Sequence, residues 1–377
     1  MRSAAFPDCR AFAEINGRAL CRNYRLLHQL ARKTNPSARL IAVVKDDAYG
    51  HGLLQTVPLL LAAGCDFFAV ATAAEAFGVR GLSPTADILV LGYTPPRLAP
   101  DLAAARITQT VFDADYGAAL SDAMSSVGQK LFIHTKINGG LCRGGLAPTE
   151  REALCRLLSL PHLAPTGIYT HFPVADTDPA ATRRALADFL GAVQAARQRG
   201  HSLFIHAAAS AAALTLPEAT LDGIRAGIAL YGLPPVETPL PLSPVLSLHA
   251  PVICLSRVPS GTPVGYGGSF VTGRETVLGT LPIGYGDGFW RCLRPLSVTL
   301  SHGGQAFSVP IAGRICMDHT VVDLTDTPAA IGDTVCLWQS AKAPAAEADT
   351  IPYEILTALC ARVERRIVSK PLAKEPL

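Results

Sequence analysis

With 377 residues, of which 49% are hydrophobic and 17% charged, the chain can bury a large core and is too long for most single compact domains. Its formal net charge of +3 is small, and no run of Lys and Arg interleaved with aromatic residues suggests nucleic acid as a partner. The N-terminal segment carries charges and Pro where a signal peptide needs an uninterrupted apolar core, and no later stretch has about 18 uncharged apolar residues. We therefore expect a cytoplasmic protein without a membrane-spanning segment.

Eight short apolar runs lie between residues 40 and 232, with enough chain between successive starts for a helix and two loops. They lie at 40–45, 67–71, 87–92, 108–112, 131–137, 165–171, 203–209 and 223–232. The segments between them are rich in Ala, Leu, Arg and Gln, which favour helix. Strands that are apolar throughout are typical of a parallel sheet covered on both faces. Together these features predict a (β/α)8 barrel of the TIM type over residues 1–240.

The character of the sequence changes after Tyr231. A Pro-rich stretch, LPPVETPLPLSP, is followed by β-branched residues, Gly-containing turns and little helical periodicity. We predict a linker and then a mainly β domain over residues 241–377, which the first residues of the chain can join. Its expected strands lie at 252–258, 276–281, 296–300, 308–312, 320–324 and 334–338, and a helix is expected near 355–366. The fold class is therefore α/β, with a C-terminal β domain.

A lysine marks the end of the first predicted strand. Lys45 directly follows four apolar residues in the run AVVKDDAYGHG, and Tyr49 and two glycines belong to the same turn. Reactive groups in such barrels gather at the C-terminal ends of the strands. A strand-end lysine on its own is more often a surface charge, but a partly desolvated amine can form an imine with an aldehyde. The surroundings of Lys45 favour the second interpretation.

The run around Lys45 resembles the pyridoxal-phosphate signature of the alanine racemase family, in which a strand-end Lys is followed by A-N-A-Y-G-H-G. Other motifs match in the family's order: KINGGLCRGG at 136–145, YTHF at 169–172, AAASAAA at 207–213, IRAGIALYG at 224–232, VGYGG at 264–268, IGYGDGF at 283–289, GRICMD at 313–318 and IPYEIL at 351–356. The resemblance spans Lys45 to Arg365. It implies a pyridoxal 5′-phosphate enzyme, an isomerase that interconverts L- and D-alanine and supplies D-alanine for the peptidoglycan of the cell wall.

The resemblance also implies two catalytic bases, Lys45, which would bind the cofactor covalently, and Tyr266 on the opposite face of the substrate. Inversion needs both, because a proton must leave from one side of a planar carbanion and return from the other. In family members this Tyr comes from the second subunit of a head-to-tail dimer, so a homodimer is implied. The other implied cofactor contacts are Tyr49, His171, Ser210, Arg225, Gly227, Ile228 and Tyr353, and the implied substrate contacts are Arg143, Tyr285, Met317 and Asp318.

Within this implied site, Arg225 would face the pyridine nitrogen, with His171 orienting it. A guanidinium keeps its charge and leaves that nitrogen unprotonated, which makes the ring a weaker electron sink. The hydroxyls and backbone amides would suit the phosphate. Lys136 is carbamylated in many family members to hold the Arg that corresponds to Arg143. No metal site is predicted.

The chain departs from the family pattern at several positions: Asp46 and Asp47 replace Ala and Asn, Asn138 replaces an acidic residue, and Ala209 replaces an Asn. The histidines at 134, 206, 249, 302 and 319 have no paired spacing and are interpreted as structural. None of the departures from the family pattern removes a proposed base, Lys45 or Tyr266.

The same motifs bear on other functions. A non-catalytic pyridoxal-phosphate carrier has the lysine but normally lacks the β domain. Related amino-acid decarboxylases have both domains, but they are usually longer and use a Cys-Asp pair, where this chain has Met317 between Cys316 and Asp318. A metal-dependent barrel hydrolase needs a His-x-His at a strand end, which is absent here. A racemase of another amino acid, such as serine, shares most of the motifs and stays open as an alternative.

Overall fold

The structure, a computed structural model, describes residues 10–369. The chain divides into two compact units. One, which we call the barrel unit, comprises Ala19–Ala48 and Thr56–Ser243. The other, the β unit, comprises residues 10–18, Tyr49–Gln55 and residues 244–369. The first strand of the chain, β1 (Phe12–Asn16), is part of the β unit.

The predicted barrel is confirmed. Eight parallel strands close in chain order: β2 (Arg39–Val43), β3 (Phe67–Val70), β4 (Asp87–Val90), β5 (Thr108–Val111), β6 (Leu131–Lys136), β7 (Leu163–Tyr169), β8 (Phe204–Ala209) and β9 (Gly223–Ala226). Pairing of β2 with both β3 and β9 closes the ring. The strands are apolar because helices cover their outer side, and Phe68, Ile88 and Leu89 are fully buried. The carboxyl ends of all eight strands therefore meet at one rim of the barrel.

Helices alternate with the strands. They are α1 (Gly17–Thr34), α2 (Leu53–Ala62), α3 (Ala73–Leu82), α4 (Ala99–Ala104), α5 (Ala114–Ala123), α6 (Arg151–Leu158), α7 (Pro179–Gln198) and α8 (Ser210–Thr215). Several begin with a side-chain cap: Asp113 accepts a hydrogen bond from the backbone of Tyr116, and Asp178 accepts one from that of Ala181. These side chains satisfy backbone amides in the first turn of each helix, which have no acceptor within the helix.

The β unit contains three sheets. Its strands after β1 are β10 (Leu246–Pro251), β11 (Cys254–Val258), β12 (Pro263–Val264), β13 (Phe270–Val271), β14 (Thr276–Leu281), β15 (Ser297–His302), β16 (Gln305–Pro310), β17 (Thr320–Asp323), β18 (Thr334–Trp338) and β19 (Glu364–Val368). The six-stranded sheet has the order β16-β15-β18-β10-β1-β19, β11-β14-β17 form a second sheet, and β12-β13 form a third. The mainly β character predicted for this region is confirmed. Two helices, α9 (Lys342–Glu347) and α10 (Pro352–Thr357), complete the unit.

The prediction of a helix near 355–366 is wrong. Helix α10 ends at Thr357, and residues 364–368 form β19, which pairs in parallel with β1. Local residue preferences in this segment favoured helix, but the pairing partner of β19 lies at the other end of the chain. Non-local pairing of this kind overrides local propensity.

The segment after β2 adopts an unusual backbone. Strand β2 ends at Val43, two residues earlier than predicted, and Lys45–Tyr49 form a left-handed turn, which we call the lysine turn. Asp46, Asp47, Ala48 and Tyr49 have φ values of 54, 52, 56 and 53°. For residues other than Gly this conformation costs about 1–2 kcal/mol each. Such a backbone persists only where its surroundings determine it.

Candidate functional site

Arg225 on β9 lies inside the barrel and is 3% exposed. Its Nη2 donates to the carbonyl oxygens of Thr170 and Ala207, at 2.7 and 2.9 Å. Nη1 lies 2.9 Å from Nδ1 of His206, and Nη2 lies 3.3 Å from Nδ1 of His171. Among residues 10–369, no carboxylate pairs with this guanidinium. It is therefore a buried cation held by neutral acceptors, which is costly unless a ligand compensates.

The histidines around Arg225 form a chain of neutral rings. His134 Nδ1 lies 3.0 Å from His206 Nε2, and His206 in turn contacts Arg225. Burial, and then the charge of Arg225, lower the pKa of His134 and that of His171 to about 3, and they also lower the pKa of His206. Burial lowers the pKa of Arg225 itself to about 10, so it stays protonated at neutral pH. A neutral imidazole can accept a hydrogen bond from the guanidinium, whereas a protonated one cannot.

Acid should destabilise the folded chain below pH 6.5 because these rings must stay neutral inside the barrel. The pKa of His134 is lower when folded, so between pH 6.5 and about 3 the unfolded chain binds more protons and stability falls as pH falls. At about pH 5, His134 alone should cost about 2 kcal/mol of unfolding free energy. Urea denaturation at pH 7 and 5 measures the loss. His134→Asn should make the loss of unfolding free energy between pH 7 and pH 5 smaller, and His201→Asn, at a partly exposed histidine, should not. Equal losses in the two variants would show that His134 is not the cause.

A polar corner forms where α8 begins beside the loop after β9. The Ser210 hydroxyl is buried and accepts hydrogen bonds from the backbone amides of Gly227 and Ala229, at 3.2 and 3.3 Å. Ile228, between those two residues, is also buried. A hydroxyl that accepts through its oxygen can still donate its own proton. The corner can therefore present a donor to an anion.

Lys45 begins the lysine turn, and its Nζ lies 3.8 Å from Oδ2 of Asp46. The side chain is 36% exposed, so the amine is accessible. Asp46 is one of the residues that depart from the family pattern. Here it places a carboxylate next to the amine that the sequence singled out.

A second lysine lies at the end of β6. Lys136 Nζ donates to the carbonyl oxygen of Arg143 at 2.6 Å. Burial, and then the charges of Arg143 and Arg225, lower the pKa of Lys136 to about 8. In the same loop, Asn138 Oδ1 accepts hydrogen bonds from the amides of Gly140 and Cys142, at 3.0 and 3.2 Å. The amide oxygen of Asn138 thus supplies an acceptor that organises the loop carrying Arg143.

The remaining predicted residues lie in the β unit. The rings of Tyr49 and Tyr353 are 6.0 Å apart between centroids. The amide of Tyr285 donates to the carbonyl oxygen of Cys316, and that of Gly286 donates to Met317, so the loops carrying Tyr285, Met317 and Asp318 are joined by backbone hydrogen bonds. A Cβ on Gly265 would lie 3.4 Å from the backbone nitrogen of Arg314. The loop of Tyr266 therefore lies beside the loop that carries Met317 and Asp318. Tyr266 is 72% exposed, Met317 56% and Tyr285 40%.

Sequence reasoning gave no role to the residue that orders this surface. Arg362 donates through Nε to Asp287 and through Nη2 to Asp318, both at 2.6 Å. Asp287 is 1% exposed and also accepts from Arg10 and from the amide of Gly284. Asp318 is therefore anchored to a buried carboxylate through Arg362. The arginine-rich run ARVERR, in which Arg362 is the first arginine, was the signal available in the sequence.

Within residues 10–369, none of the helices combines the length and the apolar character that a membrane span requires.

Comparison with known proteins identifies the chain's relatives. The family profile described as alanine racemase, N-terminal domain, matches residues 15–235, and that described as alanine racemase, C-terminal domain, matches residues 245–367. The alanine racemase of Desulfovibrio desulfuricans is 38% identical, over 95% of this chain and 98% of that protein.

Solved structures agree with the sequence comparison. An alanine racemase of Clostridium difficile is 30% identical with a TM-score of 0.87, covering 96% of this chain and 97% of that one. The alanine racemase of Bacillus anthracis, solved with bound L-Ala-P, is 31% identical with a TM-score of 0.87, covering 96% of both chains. Sequence and structure match over nearly the whole length. The chain therefore belongs to the alanine racemase family.

Proposed function

We propose that the chain interconverts L- and D-alanine, using pyridoxal 5′-phosphate bound to Lys45, and so supplies D-alanine for peptidoglycan. The observation that carries this proposal is a cluster of cations in the barrel. Arg225, Arg143, Lys136 and Lys45 all lower the pKa of His171, after burial, which is the larger cause. Their charges therefore converge on one region. Such a region attracts anions, and the cofactor's phosphate and the substrate's carboxylate are both anionic.

The residues present fit the cofactor. Lys45 offers an accessible amine for its aldehyde, and Ser210, with the backbone at Gly227 and Ile228, offers a polar corner for its phosphate. Arg225 would face the ring nitrogen, and His171 would help to orient it. Tyr49 and Tyr353, neighbours in the β unit, are proposed to contact the phosphate.

When bound, the cofactor supplies a conjugated ring that withdraws electrons from the substrate's α-carbon. The protein must then move one proton across the plane of that carbon. Lys45 Nζ would remove or return it on one face, and the Tyr266 hydroxyl would do so on the other. Arg143 would hydrogen-bond at the carboxylate side, and Tyr285, Met317 and Asp318 would border the side-chain space. Because Arg225 keeps its charge, it can orient the ring without giving up a proton.

We further propose that the active protein is a homodimer in which Tyr266 serves the partner's Lys45. Tyr266, Tyr285 and Met317 are large apolar side chains exposed on the β unit of a single chain. Exposed groups of this kind are typical of interaction surfaces. Arg362 and Asp287 hold Asp318 at this surface, which suits a preformed contact.

Lys136 is a candidate for carbamylation. Its pKa of about 8 leaves a substantial fraction of the amine neutral near physiological pH, and the neutral amine is the form that reacts with carbon dioxide. We infer that the oxygens of the modified side chain would accept hydrogen bonds from the guanidinium of Arg143, a residue whose backbone Lys136 already contacts.

The direct test supplies L-alanine to the cofactor-loaded protein in deuterated water. D-Alanine carrying α-deuterium should form, because the catalytic bases exchange their protons with the deuterated solvent and then return deuterium to the α-carbon. Lys45→Ala should abolish its formation, and Lys130→Ala, at an exposed lysine, should leave it unchanged. Chiral chromatography with mass spectrometry measures both quantities.

Two other results would redirect the assignment. If cofactor binds through Lys45 but a panel of amino acids shows inversion of serine or another substrate in place of alanine, the enzyme is a racemase of that amino acid. If no amino acid in the panel is inverted or exchanges its α-proton, the protein is a carrier of the cofactor.

A further inference from the structure

We propose that Glu75 is a positioning residue that holds the lysine turn in its left-handed conformation and so aims Lys45. Its importance for catalysis rests on the function proposed above, whereas its effect on the turn does not. The turn needs an external support, because four consecutive residues other than Gly adopt positive φ. Glu75 contacts the first of them.

The contact joins two loops at the carboxyl rim of the barrel. Glu75 lies in the first turn of α3, which follows β3, whereas the lysine turn follows β2. Its Oε1 accepts a hydrogen bond from the backbone amide of Asp46 at 2.6 Å. Its Oε2 accepts from the amides of Ala71 and Thr72, at 2.8 and 3.0 Å. One carboxylate therefore fastens the lysine turn to the neighbouring βα loop.

Helix capping explains only part of this arrangement. Thr72 Oγ1 accepts from the amide of Glu75, and Glu75 accepts from the amide of Thr72, which together form a capping box. That motif uses one carboxylate oxygen. The second oxygen points to Asp46, outside the helix, and a hydrogen bond to a charged acceptor is stronger than one to a neutral acceptor.

The position of this bond matters because Asp46 directly follows Lys45. A rotation of the peptide plane between Lys45 and Asp46 would change the direction in which the Lys45 side chain leaves the backbone. Proton transfer tolerates little displacement, and a shift of about 1 Å can cost about 10²-fold in rate. Glu75 acts through the backbone of the turn and does not touch the reacting atoms.

The test compares Glu75→Ala with Thr72→Ala, which breaks the same capping box but leaves the bond from Asp46 to Glu75. Hydrogen exchange of the amides at 46–48 is measured on the full chain, with and without the cofactor. Glu75→Ala should raise their exchange rates about tenfold or more, and Thr72→Ala should not. Glu75→Gln, with one acceptor oxygen in place of two, should fall between them and serves where Glu75→Ala does not fold.

Steady-state kinetics supply the second measurement. Glu75→Ala should lower kcat by about 10²-fold with little change in KM, because the lysine is misaimed while substrate contacts remain. Equal exchange rates at 46–48 in the Glu75 and Thr72 variants would overturn the proposal, and so would equal kcat values. If the wild-type protein racemises nothing, the proposed function fails, and the exchange data still decide whether Glu75 holds the turn.

Discussion

Tyr266→Phe is expected to lower racemisation by about 10²–10⁴-fold while the cofactor stays bound to Lys45. The substitution removes only the hydroxyl that is proposed to serve the second face of the substrate. Because L- and D-alanine have equal free energies, kcat/KM must fall by the same factor in both directions. The ratio of forward and reverse rates therefore cannot show which face has lost its base.

Exchange of the α-hydrogen can show it. With Lys45 intact, one enantiomer should still exchange its α-hydrogen with deuterated water at the face that Lys45 serves, without inversion, whereas the other should not. Proton NMR of L- and D-alanine, incubated separately, measures this difference. Tyr24→Phe provides a control, because its hydroxyl donates to the carbonyl oxygen of Gly64 elsewhere in the barrel unit. Equal exchange of both enantiomers by Tyr266→Phe would exclude Tyr266 as a base.

The barrel could be predicted from the sequence because its strands are nearly continuous apolar runs, and all eight of them begin within two residues of the expected position. Strand β19 could not be predicted in this way. Its partner, β1, lies at the far end of the chain, and nothing local to residues 364–368 shows that pairing. The lysine turn was missed for a different reason. A left-handed run of Asp, Asp, Ala and Tyr contradicts the preferences of those residues and depends on groups such as Glu75.

In the candidate site, too, contacts between residues far apart in the sequence could not be predicted. Motifs identified Arg225 and His171, but His134 and His206 were interpreted as structural because their spacing in the sequence is irregular. The structure places them in a chain that ends on the guanidinium. In the barrel β7 lies between β6 and β8, and the missing side chain of Gly167 on β7 leaves room for His134 to reach His206. Sequence spacing does not encode that proximity. Arg362 was missed similarly, because its partners Asp287 and Asp318 come from separate loops.

Mixing two inactive variants should restore activity if each site combines Lys45 of one subunit with Tyr266 of the other. Lys45→Ala and Tyr266→Phe each lack one base. In a mixed dimer, one site would lack both bases and the other would have both. With random pairing about half of the dimers are mixed, so about a quarter of the wild-type activity should return.

The experiment uses equal amounts of the two variants, expressed together, and racemisation is measured on the purified mixture. Lys45→Ala expressed with the Lys45→Ala/Tyr266→Phe double variant is the control, because no pairing of those chains assembles a complete site. Native mass spectrometry reports the fraction of mixed dimers. Mixed dimers without recovered activity would place both bases in one subunit and refute the shared site. Recovery in proportion to their fraction would make dimerisation a requirement of the chemistry, since a lone chain would then hold only one of the two bases at each substrate.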